Sequence, residues 1–237
     1  AFTEIFQQGL RISPMKIVKR GVFNPDFVSI FTANCRTPEV NMGDLRAMVG
    51  SMEIGAQRVA DVIDQHGVDT FLTCQSDLQD YTAAKAREVL RRLADGVYDF
   101  WDYMDDDMIS RVPVRVRVKM TVKDGHVNLA LTNSDPHTKT AYNVPTNGQR
   151  NYWISFRLTS FLTTYDQTMY KNAGLYRTIT VNNPKGTIFH AEFPDAVCIR
   201  ASAPWRLADA VAGTILKAAP DLMCAGTGGP MMPFSLA

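Results

Sequence analysis

The chain has 237 residues, 46% of them hydrophobic, and a formal net charge of +1. That is enough to bury a sizeable core, as one large domain or two small ones. The near balance of charge argues against a nucleic-acid module, which carries a basic excess on one face, and no apolar run approaches the ~20 residues that span a bilayer.

The sequence shows no basic-then-apolar leader, and it runs at once from Ala1 into Phe2-Thr3-Glu4-Ile5-Phe6. It therefore reads as a processed or excised piece of something longer. Residues 1–35 combine a short helical piece, a turn at Ser13-Pro14 and a helix beginning near Asn24-Pro25-Asp26. A long helix follows. Thr37 is placed to cap it, Pro38 suits the first helical position, and Glu39 favours the positive end of the dipole. Arg36, Asp44 and Arg46 crowd that start, beside Gly43, a poor interior helix residue. On spacing alone the crowding reads as a solvated helix start with an Arg–Asp pair. Met48, Val49, Met52, Val59, Val62 and Ile63 share a helical face, and His66-Gly67 supplies the stop. A further helix is predicted over 70–93, with Phe71, Leu78, Tyr81, Leu90 and Leu93 inward and Asp95-Gly96 ending it.

The character then changes. Tyr98, Phe100, Trp101 and Tyr103 are strand-like and lead into Asp105-Asp106-Asp107. Val112, Val114, Val116, Val118, Met120 and Val122 alternate with polar or basic residues, the period of a strand with one wet face. Asp124-Gly125 predicts a type I′ hairpin turn, and Val127, Leu129 and Leu131 carry the apolar face back. Residues 146–165 read as helix, 177–181 as strand and 204–218 as helix. The fold class is α+β: an N-terminal helical layer over 1–95, then an antiparallel hairpin and mixed α/β elements over 96–237.

Few residues announce chemistry. Cys35, Cys74, Cys198 and Cys224 are widely spaced, as are the four histidines, so buried thiols in a cytoplasmic protein are expected rather than disulfides or a zinc site. The three aspartates at 105–107 could offer oxygens to a hard cation, but they lack the spacing of a calcium loop and read better as a solvated run. Arg115, Arg117 and Lys119 could meet an anion, although alternation already explains them as the wet face. Gly226-Thr227-Gly228-Gly229-Pro230 lacks the Lys-Ser or Lys-Thr of a phosphate loop. Asn172-Ala173-Gly174-Leu175-Tyr176-Arg177 reads either as a loop, with Gly174 at positive φ and Asn172 bonding the backbone, or as a substrate or subunit surface.

Several ordered motifs carry a resemblance. Thr3 through Pro14, Arg36-Thr37-Pro38-Glu39 with Gly43-Asp44-Leu45-Arg46, and Asn172-Ala173-Gly174 with Arg177-Thr178-Ile179 resemble the hydantoinase B/oxoprolinase family. The Val112–Val122 strand, its hairpin and the Pro184-Lys185-Gly186 turn fall in the matching order. The resemblance covers essentially the whole chain and implies the C-terminal half of a B-type subunit. Such subunits work with an ATP-binding A-type subunit or domain and open cyclic amides (hydantoins, 5-oxoproline, lactams) or take part in ketone carboxylation. It implies ATP with Mg on the partner, and a divalent metal whose ligands lie upstream of this chain, in the N-terminal half of the same subunit. No nucleic acid or membrane is implied. It further implies catalytic or site-shaping roles for Glu4, Arg36, Asp44 and Arg46, and substrate binding by Arg11, Asn172 and Arg177. Two stretches depart from the family pattern: Ala201-Ser202-Ala203-Pro204-Trp205 and the tail Gly229-Pro230-Met231-Met232-Pro233. A purely assembling role, through the hairpin and the Met-rich helix, is the alternative from another class.

Overall fold

The computed structural model describes residues 2–223; Cys224, the glycine-rich stretch from Gly226 and the tail beyond it lie outside the described residues. Gly9–Ser76 forms one compact unit, and the residues up to Gln8 together with those from Asp77 onward form the other.

In the first unit a two-stranded ribbon, β1 (Val18–Lys19) and β2 (Val22–Phe23), turns through Arg20 and Gly21, both at positive φ. No pattern in the sequence announced it. Helix α1 (Pro25–Ala33) starts as predicted. The Asn24 side chain accepts from the Asp26 N–H at 3.2 Å, and Pro25 occupies the first turn. Helix α2 (Pro38–His66) also starts where the sequence places it, but Thr37 makes no side-chain capping bond. Pro38 and the first-turn Glu39 remain as its start signals. It stops at Gly67, which takes φ +82° and donates its N–H to the Ile63 carbonyl at 2.7 Å.

The apolar face read on α2 is largely uncovered among the described residues, with Val49 and Ile63 half-buried. Met42 is its one buried residue; Met48 and Met52 are 63% and 64% exposed, and Val59 and Val62 are exposed as well. Periodicity identifies a face but does not say what lies against it.

Helix α3 runs Val68–Leu90 rather than 70–93, and the division between the two units falls inside it. Burial begins only at Thr82 and continues through Ala86, Val89 and Leu90, with Leu93 buried in the turn beyond. Leu78 and Tyr81, predicted inward, are exposed, and Phe71 is half-buried.

The second unit is built on a four-stranded sheet in the order β3 (Gly96–Met104), β4 (Val114–Lys123), β5 (His126–Ala130), β6 (Ile179–Asn182). The first two pairings are antiparallel and the last is parallel. Alternation does what it predicts: Val114, Val116, Val118, Met120 and Val122 are all buried. The turn from β4 to β5 uses Asp124 and Gly125, both at positive φ, as a two-residue hairpin requires. The chain between the parallel strands contains α4 (Tyr152–Tyr165), capped by the Asn151 side chain; residues 146–151, read as helix, are loop, with Asn147 and Gly148 at positive φ. Helix α5 (Ser202–Ala218) lies against β3 and β4 and packs on α4. Ile154, Leu158, Phe161 and Leu162 of α4 share one core cluster with Leu207, Val211 and Ile215 of α5 and the strand valines. An ion chain ties these layers: Asp102 on β3, Arg206 and Asp209 on α5, and Arg157 on α4, at 3.1, 2.9 and 3.4 Å.

The wet sheet face explains its basic residues without an anion. Arg117 pairs with Asp99 and sits over the Trp101 ring, and Arg115 holds Asp135 through its backbone N–H at 2.8 Å. The acidic run is likewise committed locally. Asp106 accepts from the Met108 N–H, and the Asp107 carboxylate accepts from the Ile109 and Ser110 N–H groups and the Ser110 hydroxyl at 2.6–3.0 Å. Burial would raise the Asp107 carboxyl, but those donors outweigh it and hold it below the ordinary carboxylate range. Because the folded state prefers the ionised form, this contribution is present above the unfolded carboxylate value, near pH 4, and lost as pH falls through the folded one. Acid unfolding should therefore be less steep in Asp107→Asn, whose carbonyl still accepts these bonds but does not titrate; urea midpoints at several pH values check this.

Cys35, Cys74 and Cys198 are free thiols as expected, yet Cys74 and Cys198 are exposed and Cys35 half-buried, so the expectation of buried thiols is not met. No described helix is long and apolar enough to cross a membrane.

Candidate functional site

The predicted site residues fall into three groups. Glu4 lies in an extended segment that forms an isolated antiparallel bridge with Asp195. The following Ile5 N–H donates to the Pro194 carbonyl at 3.0 Å, Gln8 Oε1 accepts from the Val197 N–H at 3.1 Å, and Phe6 meets Phe193 edge-on at 5.5 Å. These bonds fix the backbone on either side of Glu4, while its side chain stays exposed.

Beside Glu4 the fold assembles a pair that sequence reasoning missed. Nδ1 of His137 stands 3.0 Å from Oδ2 of Asp195, and that oxygen also accepts from the Glu192 N–H at 2.9 Å. Glu192 pairs with Lys185 at 2.8 Å, whose ammonium lowers its carboxyl. A histidine oriented by a carboxylate can hold or move a proton. Fifty-eight positions separate His137 from Asp195, so no local spacing marks them.

The second group, Asn172 and Arg177, is bonded to its own chain, with Asn172 half-buried and Arg177 exposed. A 3-10 turn, Ala173–Tyr176, is capped by Asn172, whose side-chain oxygen accepts from the Gly174 N–H at 2.8 Å. Its amide donates to Thr82 Oγ1 at 3.0 Å. Arg177 pairs with Asp80 and donates to Gln79 Oε1 at 2.9 Å. Gly174 is not at positive φ, contrary to the loop reading; it is glycine because a Cβ there would lie 2.2 Å from the Gln79 carbonyl oxygen and 2.9 Å from Thr82 Cβ. The motif is thus a clasp on α3.

The third group belongs to Gly9–Ser76. Arg11 is exposed beside Ile12, Ser13 and Pro14 in a surface depression. Arg36, Asp44 and Arg46 are exposed around the start of α2, with no ion pair among the described residues. The Arg–Asp pair expected there does not form. Residues two apart on a helix do not face each other, so Asp44 and Arg46 stand on opposite flanks of α2. Among the described residues no three His, Cys, Asp or Glu side chains converge as metal ligands.

Comparison with known proteins places these features. The model of the family described as Hydantoinase B/oxoprolinase matches residues 1–237. A candidate B-type D-/L-hydantoinase component of Pseudomonas sp. (strain NS671) is 30% identical over 234 residues, 95% of this chain and 39% of that protein. The beta subunit of the caprolactamase of Pseudomonas jessenii is 27% identical over 229 residues, 95% of this chain and 38% of that protein. The crystal structure of the ATP-dependent caprolactamase from Pseudomonas jessenii superposes with a TM-score of 0.80 at 26% identity, over 92% of this chain and 37% of that one. An acetone carboxylase structure shares the fold, with a TM-score of 0.75 at 15% identity, over 92% of this chain and 30% of that one. The chain spans just under two fifths of the length of the relatives it matches first. It belongs to the hydantoinase B/oxoprolinase family.

Proposed function

We propose that this chain is the C-terminal region of a B-type subunit that opens a cyclic amide, a hydantoin, 5-oxoproline or lactam, in a reaction driven by ATP on an A-type partner. The observation that carries the reading is continuous similarity to a B-type hydantoinase component and to a caprolactamase, over 95% and 92% of the chain. The local chemistry is compatible with such a division of labour. The chain's described side chains do not gather as a metal site, so the divalent metal of the intact subunit would be held by residues outside this chain. ATP with Mg would sit on the partner.

Within that reading Glu4, Arg36 and Arg46 are offered to the reacting centre or to the surface that closes it. Each is exposed, and none forms an ion pair among the described residues. Arg11 would help hold substrate. Asn172 and Arg177 support the site from a distance, by fixing α3, rather than by touching substrate.

The test is coupling. With its A-type partner, the intact subunit should open a hydantoin or lactam ring only while ATP is consumed. Ring opening at full rate without nucleotide sinks the proposal. ATP turnover that instead requires bicarbonate and a ketone would move the chain to the carboxylase branch, whose fold it shares. Arg46→Ala should lower kcat by about tenfold or more while leaving the unfolding midpoint within about 0.5 kcal/mol of wild type, because an exposed, unpaired side chain contributes little to stability.

A further inference from the structure

Helix α2 carries a heptad seam that, from Met48 to Val62, is exposed among the described residues. Leu45, Met48, Met52, Gly55, Val59, Val62 and His66 follow one another at alternating spacings of three and four, the spacing of positions that meet a second helix. Every residue from Ser51 to Val62 is exposed.

We propose that the occupant of this seam is α2 of a second copy, crossing antiparallel about a two-fold axis near Met48 and Met52. The register follows from size and charge. Met48 faces Met52 of the second copy, which brings Leu45 opposite Gly55, large against small. Gly55 has open space where a Cβ would stand, room for the opposing leucine. The same register sets Asp44 beside Arg58 of the second copy, twice by symmetry. Both are exposed, and neither has an ion-pair partner among the described residues of its own chain. Like charges do not meet in this arrangement, since Ser51 faces Ser51 at the axis. Methionines at the centre suit an interface that must adapt as it closes. The pairing goes beyond the reaction proposed above and stands or falls without it.

The test is a charge exchange read by sedimentation velocity, on the polypeptide that carries this chain. Wild type should sediment as a dimer at tens of micromolar. Asp44→Arg alone and Arg58→Glu alone each set like charges opposite one another and should weaken the dimer by about tenfold or more. Mixed in equal amounts, the two variants should recover the dimer, because each then meets its opposite charge. Met52→Glu should yield monomer with unchanged helical circular dichroism. A monomeric wild type, the result expected if another part of the same polypeptide covers the seam, overturns the proposal. So does a dimer that the exchanges leave unmoved, or a mixture that fails to recover.

Discussion

Gly174→Ala should destabilise the second unit by about 3 kcal/mol, at the upper end of what overpacking costs, and the loss should appear as a lower urea midpoint. The new methyl would stand 2.2 Å from a backbone carbonyl oxygen of α3, at Gln79, and 2.9 Å from Thr82 Cβ. Neither atom is the end of a flexible side chain. Either α3 or the 3-10 turn must move, and both are held: Asn172 caps the turn and bonds Thr82, while Arg177 grips Asp80 and Gln79. Asn172→Ala removes the cap and the Thr82 contact without adding volume, so its cost should be about 1–2 kcal/mol. In an ATP-coupled ring-opening assay Asn172→Ala should lose activity in proportion to folded protein, with KM unchanged. A raised KM at full stability would return Asn172 to the substrate.

That pair of results bears on how much of the site was legible. The letters Asn172-Ala173-Gly174 and Arg177 marked a place that matters, and Asn172 does bond backbone, as its chemistry suggests. What they did not show is that the glycine serves a close approach by a helix about ninety positions earlier. Only the folded chain brings Gln79 there. The His137–Asp195 pair is invisible for the same reason, being assembled by a loop and a bridge that no period announces. By contrast β4 and its hairpin were readable in full, because alternation and a two-residue Asp-Gly turn are local properties. Helix α2 is intermediate. Its start, stop and apolar face are local and were legible; whether anything covers that face is not a local property, and the described residues leave Met48 and Met52 exposed.

Gly213→Ala should have a comparable effect where α5 meets the sheet, about 2–3 kcal/mol. A Cβ at 213 would sit 2.5–2.7 Å from three ring carbons of Phe100, including Cγ, the carbon bonded to the phenylalanine's own Cβ. A ring gripped so close to its root cannot swing aside, so α5 must lift off β3. Lys217 restrains it further, bonding the Asp99 carbonyl at 2.6 Å and lying over the same ring. Lifting the helix off β3 would also open the Asp102–Arg206 pair, leaving Arg206 only its neighbour Asp209 on α5. Removing the obstacle should reverse the loss. Phe100→Ala alone leaves a cavity and costs about 3 kcal/mol, but because it deletes Cγ and both Cδ carbons, adding Gly213→Ala in its presence should cost no more than half of what it costs in wild type. Denaturant midpoints for the four proteins of this cycle measure the coupling directly. If the two substitutions simply add, α5 is not seated on the Phe100 ring.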